Sequence, residues 1–112
     1  MSDFEIVSEV TTKPTGLDGI RDSAYSNWDK VTAPDGHVID DRNLTYEWLS
    51  AAGSQNDYEK VLEDYVPILE SAPDLKFPQT LQIRTFAKGP KGHGSGRGWS
   101  KLKVTGNFIK FK

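Results

Sequence analysis

Cysteine is absent from the 112 residues, methionine occurs once and histidine twice. Without thiols the chain can form no disulfide, offers no cysteine nucleophile and supplies no thiolate to zinc or to an iron–sulfur cluster. Its stability must come from packing. Long hydrophobic runs are missing too: the longest, Tyr65-Val66-Pro67-Ile68-Leu69, is interrupted by proline. A membrane-spanning helix needs about 20 apolar residues, so none is expected. The opening Met-Ser-Asp-Phe-Glu lacks the basic and apolar regions of a secretory leader, and a cytoplasmic location is the expectation.

Acidic residues vanish after Leu75. Residues 1–75 carry 16 acidic and 5 basic side chains, a net of −11; residues 76–112 carry 9 basic and no acidic ones, a net of +9. The overall charge of −2 hides this division. What is present otherwise is ordinary for one soluble domain spanning 1–112: 36% hydrophobic residues, 27% charged, and twelve aromatics to anchor a core.

The pattern along the chain predicts an α+β fold, a small antiparallel sheet with two or three helices packed on one face. Phe4, Ile6 and Val10 alternate with Glu5, Val7 and Glu9, the period of a half-buried strand. Leu17, Ile20, Ala24, Trp28 and Val31 recur at spacings of three and four, a helical stripe with Thr15 and Asp18 as its cap. Ala33-Pro34-Asp35-Gly36-His37 has turn chemistry, with a short hairpin around it. Asn43 reads as the N-cap of a helix over Leu44–Ala52 closed by Gly53. Asn56 and Glu59 open a second helix along Tyr58, Val61, Leu62, Tyr65 and Leu69, stopped near Pro67. Strands are expected over Thr80–Lys88, Trp99–Thr105 and Phe108–Lys112, joined by a Gly89–Gly98 loop and a Gly106-Asn107 turn.

The glycine-rich loop does not match a nucleotide-binding motif. No Gly-Lys-Ser or Gly-Lys-Thr is present, and a G-x-G-x-x-G frame meets Arg97 or Trp99 where glycine is required. His37 with Asp40 and Asp41 is too common a turn composition to assign a metal, and no serine–histidine–acid arrangement is recognisable. The expectation is a non-enzymatic protein with no cofactor and no metal.

The C-terminal strands carry the clearest pattern. With Leu81, Ile83, Leu102, Val104, Ile109 and Phe111 turned inward, one sheet face would present Arg84, Lys101, Lys103, Lys110 and Lys112 between Phe86, Trp99 and Phe108. Cations hold phosphates and exposed rings stack bases, at about 1–3 kcal/mol per base. Single-stranded nucleic acid is therefore the expected partner, contacted by Arg84, Phe86, Lys88, Lys91, Arg97, Trp99, Lys101, Lys103 and Lys110. The competing expectation is a basic protein partner, bound through an acidic helix bearing Asp57, Glu63 and Asp64. A monomer or small homo-oligomer suits either. A structural reading of the charges also stands: Glu5 and Glu9 can lie opposite Lys101 and Lys103, or Lys110 and Lys112, for about 0.2–1 kcal/mol per cross-strand pair. Tyr25-Ser-Asn-Trp28-Asp-Lys-Val31 is similar to the Tyr-Pro-Trp-Asp-type opening of small phage-encoded proteins, over these few residues and without that proline.

Overall fold

A computed structural model describes residues 2–12, 23–52, 54–89 and 98–111. They form eleven strands: β1 (Phe4–Thr11), β2 (Ser23–Tyr25), β3 (Asp29–Thr32), β4 (His37–Ile39), β5 (Thr45–Ala52), β6 (Ser54–Glu63), β7 (Val66–Pro67), β8 (Lys76–Phe77), β9 (Thr80–Lys88), β10 (Trp99–Gly106) and β11 (Phe108–Lys110). No helix occurs among the described residues, and hence none long and apolar enough to cross a membrane.

Two antiparallel sheets carry the fold. The first has the order β1-β10-β5; in the second β9 is central, flanked by β6 on one side and by β2 and β3 on the other. The small ribbons β4–β11 and β7–β8 complete it. The three long strands with strict period two supply the facing layers. Phe4, Ile6, Ser8 and Val10 of β1, Leu102 and Val104 of β10, and Leu81, Ile83, Thr85 and Ala87 of β9 are buried, while their neighbours in sequence point outward. The architecture is a β-sandwich, with polar residues alternating outward along each strand.

The interior is graded along its length. At one end Phe4, Ile6, Ile39, Leu81, Ile83, Leu102 and Val104 pack with Leu44, Tyr46, Tyr58, Leu62 and Phe108. Each fully buried aliphatic side chain contributes about 1.5–3 kcal/mol. At the other end the sheets meet through small hydroxyl residues. Ser8 Oγ shares hydrogen bonds with Ser26 Oγ (2.9 Å) and Thr85 Oγ1 (3.3 Å), and Ser100 Oγ donates to the Phe86 carbonyl (3.3 Å). Between β2 and β3, the Ser26 hydroxyl accepts from the Thr85 amide at 2.9 Å, taking the place of a ladder carbonyl. A buried hydroxyl left without a partner would cost roughly 1–3 kcal/mol, so these bonds tie one sheet to the other.

The expected helices are overturned. Leu44–Ala52 and the stretch from Asn56 onward are β5 and β6, each an edge strand of a different sheet. The residues counted as a helical stripe contain a period-two set as well: Tyr58 and Leu62 turn to the core while Asp57, Glu59 and Val61 face out. Pairing of Asp57–Glu63 with β9 satisfies the backbone across long sequence separation, and this outweighs the weak local preference. The expected caps do other work: Asn43 Nδ2 donates to Asp40 Oδ2 at 2.7 Å within a turn, and Asn56 Nδ2 donates to the Trp99 carbonyl at 3.0 Å, tying β6 to β10. Of the first expected helix, Thr15 through Ile20 lie outside the described residues; Ala24 and Val31 sit on β2 and β3.

Strand neighbours also differ from expectation. The segments on either side of the glycine-rich loop do not form a hairpin, because β9 and β10 belong to opposite sheets. Likewise β11 leaves β10 at Gly106-Asn107 to pair with β4. The Pro34–His37 turn forms as expected, His37 N donating to Pro34 O at 3.0 Å around Gly36 at φ 75°, a conformation glycine adopts without strain. It links β3 to β4, which pair with β9 and β11 and not with each other.

Candidate functional site

The expected basic face is divided between opposite sides of the molecule. Because the inner faces of β9 and β10 both point into the core, their outer faces look away from each other. Arg84, Phe86 and Lys88 lie on the outer face of the second sheet; Trp99, Lys101 and Lys103 lie on that of the first. Lys110 is exposed on the β11 ribbon, apart from both. Phe108 stacks on Phe4 with centroids 5.3 Å apart and joins the core. Lys91, His93, Arg97 and Lys112 lie outside the described residues.

Acidic edge strands flank each basic central strand. Glu9 stands opposite Lys101 in the β1–β10 register, Glu47 bridges Lys103 at 3.1 Å, and Glu59 bridges Arg84 at 3.3 Å. The charge division of the chain is therefore largely a division between centre and edge strands. Of the acidic residues expected on a helix, Asp57 and Glu63 are on the outer face of β6. Asp64, at φ 62°, ends that strand and accepts a hydrogen bond from Thr80 Oγ1 at 3.3 Å. His37 Nδ1 is bonded to the Asp35 carbonyl at 2.9 Å, and no group of three or more metal-ligating side chains gathers among the described residues.

What the second sheet does assemble is an aromatic and guanidinium platform. The Arg84 guanidinium lies 4.4 Å from the Tyr25 ring centroid and 4.5 Å from that of Trp28. Tyr25 in turn packs on Phe86, with centroids 4.7 Å apart. The register places these groups side by side: Tyr25 pairs with Phe86 from β2, and Glu59 with Arg84 from β6. Tyr25 is 48% and Trp28 37% exposed, so substantial ring surface remains open to solvent. Beside them, Tyr25, Asn56, Asp57 and Phe86 line a hollow of about 370 Å³, within the size range of small-molecule sites.

Polar groups hold the rings in place. The Glu59 carboxylate beside its hydroxyl, together with desolvation, raises the Tyr25 phenol above its usual range, so Tyr25 stays a neutral donor. Asn56 uses its amide nitrogen on the Trp99 carbonyl, and its Oδ1 is buried with no donor among the described residues. On the far side of β6, Lys60 Nζ donates to the Tyr46 hydroxyl at 2.9 Å, and this bond raises the lysine above its ordinary range.

Of the residues expected from the sequence to meet nucleic acid, Arg84 and Phe86 lie in this cluster, while Tyr25, Trp28, Asn56 and Glu59 were not expected beside them. Tyr25 and Trp28 sit among serine, asparagine and aspartate, a polar setting unlike a core stripe, and that was the available signal. No family model, curated protein or solved structure matches this chain.

Proposed function

We propose that this protein is a non-enzymatic binding module whose contact surface is the outer face of the second sheet, centred on Tyr25, Trp28, Arg84 and Phe86. The observation that carries this reading is the convergence, on one exposed face beside a hollow, of two rings on an ion-paired guanidinium with a third ring packed against one of them. Exposed aromatic clusters with a few placed polar groups are the physical make-up of recognition surfaces. A single-stranded nucleic acid is the second reading, favoured by Phe86 and Lys88 sharing the outer face of β9.

The three tryptophans provide the test. Trp28 reports on the platform, Trp99 on the opposite sheet face and Trp48 on β5. Their indole N–H signals, assigned by single Trp→Phe variants, would be followed by NMR during titration with oligosaccharides, single-stranded oligonucleotides and basic peptides. The expected result is a saturable shift of the Trp28 signal with Trp99 and Trp48 unmoved. A ligand that moves Trp99 alone, or a panel that never moves Trp28, refutes the assignment of this face.

A further inference from the structure

We infer, on the basis of the platform reading above, that its ligand is a neutral carbohydrate chain laid across Tyr25 and Phe86 with a sugar ring seated in the adjoining hollow. Charge complementarity selects this class. Among the described residues, the outer face of the second sheet carries Lys30, Arg84 and Lys88 against Asp57, Glu59 and Glu63, a balance that gives a polyanion no net attraction there. Asp57 lines the hollow itself and would repel a phosphate or sulfate placed there. A cationic ligand meets the opposite obstacle. The Arg84 guanidinium already lies 4.4 and 4.5 Å from the Tyr25 and Trp28 ring centroids, and it repels a second cation brought beside it. A purely apolar ligand would strand the Asn56 and Asp57 polar groups that line the hollow.

A neutral sugar suits the rings and the carboxylate at the hollow. Its axial C–H bonds carry slight positive charge and pack on the Phe86 ring and on the part of Tyr25, 48% exposed, that Arg84 leaves open. Its hydroxyls both donate and accept. They can donate to the Asp57 carboxylate, which lines the hollow. The exposed part of Trp28, 37% of the residue, adds ring surface beside Arg84.

The experiment titrates the full chain with neutral cello-, malto-, manno- and chito-oligosaccharides, with a single-stranded oligonucleotide as a parallel arm, reading the Trp28 indole signal and calorimetric affinity. One saccharide series is expected to shift Trp28 with an affinity constant between about 50 and 500 mM NaCl. A phosphate-held ligand would lose orders of magnitude over that range. Tyr25→Ala and Asp57→Asn should each weaken binding at least about tenfold, equivalent to about 1.4 kcal/mol. Val7→Ser, on the outer face of the other sheet, should leave it unchanged. If the oligonucleotide moves Trp28 and no saccharide does, the carbohydrate assignment fails and the platform stands. If no ligand moves Trp28, both fail. Saccharide binding that survives both Tyr25→Ala and Asp57→Asn also overturns the proposal.

Discussion

Replacing Arg84 by methionine tests whether the guanidinium is the structural centre of the platform. Methionine keeps most of the aliphatic stem and removes the charge, the two ring contacts and the bridge to Glu59. Cation–π contacts at exposed sites contribute about 0.5–1 kcal/mol each. The ion pair, with side chains 29% and 46% exposed, falls in the weak surface class of about 0.2–1 kcal/mol. Together these give an expected loss of roughly 1.2–3 kcal/mol, or about 5–12 °C in melting temperature for a domain of this size. Circular dichroism melts of Arg84→Met and Glu59→Gln, each at low salt and at 1 M NaCl, separate the contributions. At 1 M the Debye length is about 3 Å, so the Glu59→Gln penalty should shrink towards zero while most of the Arg84→Met penalty persists. An Arg84→Met protein that melts like the parent, or a Glu59→Gln loss equal to it at both salts, would refute the ring-centred account.

Other outcomes follow from the core and the titrations. An alanine at Gly106 would bring its Cβ to 2.6 Å from Phe4 Cζ and 2.8 Å from Leu44 Cδ2. Gly106→Ala should therefore cost about 1–3 kcal/mol, seen as a lower urea midpoint at unchanged slope. Adding Phe4→Leu should recover part of that loss. Alkaline pH should destabilise the fold. Lys60 holds its proton more tightly when folded, through its bond to Tyr46, and Tyr25 does so through Glu59. Both contributions are present below the ordinary values of 10.5 and 10.0 and are lost as pH rises through the raised folded values. Melting temperature should be level on this account to about pH 9–10 and then fall, more steeply in the parent than in Lys60→Met; equal slopes would discount the Tyr46 bond.

The sequence by itself determined three long strands and one turn. In β1, β9 and β10 the alternation of apolar and polar residues is strict, and a half-buried strand is the element that matches it. Pro34-Asp35-Gly36 carries its turn in local backbone preference alone. The charge division was equally visible, but its meaning was not. Period two tells which residues share a face of one strand; it does not tell which strands share a sheet. The tertiary structure decided that β9 and β10 stand back to back, which sent Arg84 and Phe86 to one side of the sandwich and Trp99, Lys101 and Lys103 to the other. It decided too that Leu44–Ala52 and Asn56–Glu63 are strands, since the hydrogen bonds that hold β5 and β6 come from β10 and β9, far away in sequence. Tyr25 and Trp28 reach Arg84 for the same reason. Their meeting depends on long-range register, a quantity that no local window of residues contains.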